Sequence, residues 1–126
     1  MKRIILAGIL FASPQFADQV FAQTNATTLY EPCKRSEITI GTREVLARDI
    51  DFQSARSFCY SYITGVVESE RFLSKENPAY CNSVAVTDKQ MAGIFISYYE
   101  RHYAMRFSPA VEVLLKALAD QFPCKK

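Results

Sequence analysis

Four cysteines, one histidine and one crowded aromatic and cationic segment are the residues of this 126-residue chain whose types could do chemistry. Cys33, Cys59, Cys81 and Cys124 stand 26, 22 and 43 residues apart. Structural zinc sites hold at least one close Cys-x₂₋₄-Cys pair, and no such pair exists here. Disulfides are therefore the expected use, as two bridges with three connectivities open. His102 is the single histidine, and it falls at the end of an apolar helical face, where a histidine caps or packs more readily than it transfers protons. Glu68 and Glu70 are two apart, so a helix would point them to different faces. Asp49 and Asp51 precede a helix in the manner of caps. There is no G-x-S-x-G, no H-E-x-x-H and, with four glycines in the chain, no phosphate loop. An enzyme would have to work through His102 or these separated carboxylates. The residues point instead to a binding protein that uses no cofactor and no metal.

What could bind is YYERHYAMRF, residues 98 to 107. Its three tyrosines, one phenylalanine, one methionine and two arginines are concentrated at the end of one helix and the connection to the next. Aromatic residues, Met and Arg are enriched at the centres of protein interfaces. The competing reading places Tyr98 and Phe107 in the core and leaves the rest as a solvated turn.

The N-terminus, MKRIILAGILFA, sets Lys2 and Arg3 ahead of an apolar run from Ile4 to Ala12. A membrane-spanning helix needs roughly 20 apolar residues, so this run is too short to span. It has the form of a secretory signal, with Val20 and Ala22 as small residues before a cleavage point. Residues 1–22 are read as a signal peptide and 23–126 as one domain, in preference to a buried N-terminal helix. Without the leader the chain carries 13 basic and 12 acidic residues, interspersed. That charge pattern argues against a nucleic-acid footprint, and no later stretch approaches membrane length. A small exported domain has a modest core and often adds disulfides, which suits four cysteines.

The elements that must position these residues read as helices. QTNATTLYEP, residues 23–32, lacks a periodic apolar pattern and is expected as a loose arm; Asn25-Ala26-Thr27 matches a glycosylation acceptor. A short helix is expected over Thr42–Arg48. The stretch RSFCYSYITGVVESERFL lies in a strong helix over Phe52–Leu73, capped by Asp51 or Ser54. Phe58, Tyr62, Val66 and Leu73 form its expected buried face, with Cys59, Ile63 and Val67 beside them. Gly65 in its interior suggests that another backbone crosses closely. After a loop containing Asn77-Pro78 and Cys81, Thr87 and Gln90 spell a capping box. The helix it opens carries Met91, Ile94, Phe95, Tyr98 and His102 on one face. Ser108 as N-cap and Pro109 at the first helical position open a last helix bearing Val111, Leu114, Leu115 and Leu118, which ends at Phe122-Pro123.

Short connections make neighbouring helices antiparallel. Cys81, before the second strong helix, and Cys124, after the third, then share one pole. This favours Cys81–Cys124 and leaves Cys33–Cys59. The expected fold is all-α, a small disulfide-stapled bundle of about four helices.

The order C-x-x-Y-I-x-G-V at Cys59 to Val66, Tyr80-Cys81, Val86-Thr87-x-x-Gln90, Tyr99-Glu100-Arg101-His102, then Ser108-Pro109-Ala110 through Ala117-Leu118 to Phe122-Pro123-Cys124 resembles the Rap/Tai family of type VI secretion immunity proteins. The resemblance covers about residues 55–125. It departs from the family pattern at Ser61, where glycine is common, and at Asn82 and Tyr103, where proline is common. It implies a small helical periplasmic protein that binds a peptidoglycan amidase effector and blocks its active site. A protruding element would fill the enzyme's cleft, with Tyr99, Arg101, His102, Tyr103 and Arg106 as the expected contacts. A homodimer is compatible with this reading. The alternative is a periplasmic stress chaperone of the Hde type, also small, helical and disulfide-bonded.

Overall fold

The computed structural model describes residues 24–37, 45–82 and 84–125. Its order is α1 (Ala26–Ser36), α2 (Val45–Leu73), α3 (Asp88–Arg101), a 3-10 turn (Tyr103–Met105) and α4 (Ala110–Gln121). Residues 1–22 and the first residues of the expected helix 42–48 lie outside the described residues. From Val45 onward that short helix is continuous with the next, so the two expected helices are one element of 29 residues. Asp51 and Ser54 consequently sit inside α2 rather than at its cap, and Asp51 pairs with Arg35 at 2.9 Å.

The segment expected as a loose arm is largely helical. Asn25 caps α1, its side chain accepting from the Thr28 N–H at 2.9 Å. The buried residues Ala26, Leu29, Cys33 and Ser36 recur at helical spacing. Only Leu29 among them is large and apolar, and Pro32 stands inside the helix, so the stripe has almost no hydrophobic signature. Cys33 contributes by its bridge to Cys59, with both residues fully buried.

That bridge also sets the rotation of α2. Its core stripe is Ala55, Cys59, Ile63 and Val67. The expected face lies beside this stripe: Tyr62 and Val66 are half-buried, Phe58 is 45% exposed and Leu73 77% exposed. The backbone crossing expected at Gly65 is absent among the described residues: a Cβ built there meets nothing within 4 Å.

Helix α3 packs against α1, α2 and α4. Its capping box forms in both directions, with Gln90 N–H donating to Thr87 Oγ1 at 3.2 Å and Thr87 N–H donating to Gln90 Oε1 at 2.9 Å. Met91, Phe95 and Tyr98 are buried as expected, joined by Ala92, Ile96 and Tyr99 because the helix is covered on several sides. Pro109, rather than Ser108, is the N-cap of α4 and supplies no side-chain bond. The Ala110 N–H, buried and outside the helical ladder, is satisfied instead by the Thr24 carbonyl at 2.7 Å. The chain ahead of α1 therefore does the capping.

At the opposite pole Cys81 is bonded to Cys124, and the Cys81 N–H donates to the Phe122 carbonyl at 2.9 Å. The fold is all-α among the described residues, with both disulfides in the expected pairing.

Candidate protein-binding surface

The end of α3 turns through His102 into the 3-10 turn and reaches α4 through Arg106, Phe107 and Ser108. Short-range bonds close this knuckle: Met105 N–H to His102 O at 2.8 Å, Arg106 N–H to Tyr103 O at 3.1 Å and Ser108 N–H to Met105 O at 2.9 Å. The start of α1 then holds it from the side. Thr27 N–H donates to the Arg106 carbonyl at 3.1 Å, Thr27 Oγ1 donates to the same carbonyl at 2.9 Å, and Ala26 N–H donates to Ser108 O at 2.9 Å. The single Thr27 hydroxyl proton is spent on Arg106, so Tyr99 donates its own to Thr27 Oγ1, 2.9 Å away. A chain of hydroxyls thus runs from the core tyrosine to the knuckle backbone, each bond polarising the next.

The expected contact residues separate onto two sides of α3. Arg101 and His102 belong to the α4 side. The Arg101 guanidinium lies 5.9 Å from the Tyr98 ring centre and 3.5 Å from Asp120. His102 stacks on Tyr98 with centroids 3.9 Å apart, its Nδ1 2.9 Å from the Tyr98 carbonyl. Tyr99, Tyr103 and Arg106 belong to the α1 side. Tyr99 is only 5% exposed and stacks on Tyr30 at 4.2 Å, so it supports the surface rather than forming it. Tyr103, edge-on to Tyr99, is 60% exposed.

Phe107, assigned by the competing reading to the core, is 72% exposed. The Arg106 guanidinium carbon lies 4.4 Å from the Tyr103 ring centre and 4.6 Å from that of Phe107. These three side chains border a depression of about 410 Å³ whose far wall is Tyr30 and Glu31 of α1. Sequence reasoning missed this wall because it treated residues 23–32 as an arm. The available signal was Tyr30 and Lys34, one helical turn apart, which both donate to Glu100 Oε1 at 2.8 Å. Lys34 first and Tyr30 second hold the Glu100 carboxyl below the usual carboxylate range. In return the hydrogen bond to Glu100 raises both the Tyr30 phenol and the Lys34 ammonium.

A second depression, about 540 Å³, lies between α2 and α4, where Tyr62, Gly65, Val66 and Leu73 face Val111 and Leu115. Its walls are mainly apolar, with Ser61, Ser69 and Glu70 among them, and no cationic side chain lines it. Among the described residues no group of three His, Cys, Asp or Glu side chains could hold a metal ion.

A family model for Rap1a immunity proteins matches residues 25–124. The chain belongs to the Rap1a immunity protein family. The match begins at the N-cap of α1 and ends at Cys124, taking in both bridges and the knuckle. No curated protein and no solved structure matches the chain. As a Rap1a immunity protein it belongs to a group that binds effector proteins, is generally non-enzymatic and is typically periplasmic. No helix among the described residues is long and apolar enough to cross a membrane.

Proposed function

We propose that this Rap1a immunity protein is exported with loss of residues 1–22 and, in the periplasm, inhibits a peptidoglycan amidase effector of a type VI secretion system by occluding its active-site cleft. The observation that carries this reading is the knuckle. Tyr103 and Phe107 are large, exposed and apolar, yet the backbone beneath them is hydrogen-bonded on two sides. A rigid aromatic projection loses little conformational entropy when it enters a cleft, which is how preorganised inhibitors gain affinity. Arg106 lies against both rings as a polar contact, Arg101 and His102 would extend the contact on the α4 side of α3, and Tyr99 supports the rings from below.

The test is inhibition of the candidate amidase from the same strain by the oxidised domain. Equimolar protein is expected to abolish hydrolysis of peptidoglycan, and Tyr103→Ala or Phe107→Ala to weaken binding by about 2 kcal/mol if the knuckle holds the interface centre. Inhibition that survives both substitutions unchanged would remove the knuckle from the mechanism. Failure of the wild-type domain to bind any amidase effector would remove the amidase.

A further inference from the structure

The cations around the knuckle are not equivalent. Lys34 is paired with Glu100 at 2.8 Å and Arg101 with Asp120 at 3.5 Å. Arg106 makes no ion pair among the described residues. Its guanidinium lies against two exposed rings, and its hydrogen bond within the chain is a long one, Nη1 to the Tyr103 carbonyl at 3.4 Å. A guanidinium stacked on ring faces keeps its N–H donors in its own plane, in the fork that matches a carboxylate's two oxygens. The nearby carboxylates do not take up this capacity. Glu100 accepts from Lys34 and Tyr30, while Glu31 stands on the far wall of the depression without reaching Arg106 within ion-pair distance.

The surroundings also select the kind of anion. Glu31 and Glu100 border the same depression, and their negative field opposes a multiply charged group such as a phosphate. A single carboxylate bordered by apolar side chains meets less repulsion and can cover Tyr103 and Phe107 while it pairs.

The geometry points to an Asp or Glu carboxylate of the effector as the group that Arg106 receives, with apolar effector side chains on Tyr103 and Phe107. This inference rests on the proposed inhibitory role of the knuckle and adds the chemistry of the partner's contact. Bidentate pairing and stacking both require the planar guanidinium, so Arg106→Lys keeps the charge but loses the fit.

The experiment is a double-mutant cycle on affinity between the oxidised domain and the effector amidase. Arg106→Lys is expected to weaken binding roughly tenfold and Arg106→Gln somewhat more, with thermal stability unchanged. One Asp→Asn or Glu→Gln change on the effector should reproduce the loss, and combining it with Arg106→Gln should add little. Wild-type affinity in Arg106→Lys and Arg106→Gln, or losses that no effector carboxylate shares, would overturn the inference while leaving the inhibitory reading in place. Absence of binding by the wild-type domain would overturn that reading and the inference with it.

Discussion

The two ends of the bundle are held by different means. At one end an exposed disulfide, Cys81–Cys124, ties the loop before α3 to the end of α4. At the other, the knuckle after α3 is held by the start of α1 through Ala26 and Thr27, with Tyr99 of α3 bonded to the Thr27 hydroxyl. The buried bridge Cys33–Cys59 anchors α1 on α2 and so stands behind the knuckle end. Loop closure alone would make the bridges nearly equivalent: their spans of 26 and 43 residues differ by only a few tenths of a kcal/mol in the chain-entropy model. Burial separates them. One bridge fills core space and fixes a helix that supports the knuckle, whereas the other closes a surface loop. Covalent closure serves the end where Phe72, Leu73 and Val84 are exposed, and hydrogen-bonded closure serves the end where the Tyr103 and Phe107 rings are presented.

Removing each bridge breaks this comparison most severely. Cys33→Ala with Cys59→Ala should lower stability by about 4 kcal/mol and also weaken effector binding, because α1 loses its anchor. Cys81→Ala with Cys124→Ala should cost about 3 kcal/mol and leave affinity nearly unchanged. Denaturant melts beside titration calorimetry separate the two effects, and equal affinity losses would dissolve the distinction between the ends.

At the knuckle itself, Tyr103→Ala and Phe107→Ala should change stability by less than about 0.5 kcal/mol, since both rings are largely in water. Their binding losses of about 2 kcal/mol would then mark contact rather than unfolding. A drop in stability comparable to the binding loss would instead make the rings structural.

Thr27→Val probes the clamp at smaller scale. The hydroxyl chain is cut while shape is kept, leaving the Tyr99 hydroxyl without its acceptor, at a cost of about 1 kcal/mol. Amide exchange at Arg106 and Ser108 should quicken, and Thr27→Ser should restore it. Unchanged exchange would show that the 3-10 turn holds itself.

The smallest expected effect is electrostatic. The folded Glu100 pKa lies below its unfolded value, so the contribution of the Lys34–Glu100–Tyr30 cluster is present above the unfolded carboxyl pKa of about 4.3 and fades as pH falls through the lower folded value. Tyr30 and Lys34 have raised folded values, so their contributions are lost only as pH climbs through the phenol and ammonium range. All three side chains meet solvent, and salt should weaken the cluster. Thermal melts of wild type and Glu100→Gln should therefore differ near neutral pH and converge in acid. A gap that persists below pH 3 would assign the Glu100 effect to something other than its charge.

The legible parts of this fold carried explicit chemistry. The Thr87–Gln90 box announced α3, and antiparallel order was enough to pair the cysteines. What stayed hidden did so for physical reasons. The α1 stripe of Ala26, Cys33 and Ser36 buries small side chains, so periodicity had little to register. In α2, two adjacent stripes were both apolar, and the Cys59 bridge decided which turned inward. At the candidate surface, Tyr103 and Arg106 were expected as contacts from residue type, and the structure has Tyr103 exposed and Arg106 half-buried. Whether Phe107 was core or surface stayed open, since hydrophobicity alone fits either, and the supporting role of Tyr99 could be seen only once α1 was in place.

The central claim is that the clamped knuckle meets the effector. Amide hydrogen exchange of the oxidised domain, free and saturated with its amidase, tests this without altering a residue. The account predicts new protection over residues 103–108 and the first turn of α1, with residues 78–82 and the end of α4 unchanged. Protection confined to the stapled pole, or to the groove between α2 and α4, would contradict it.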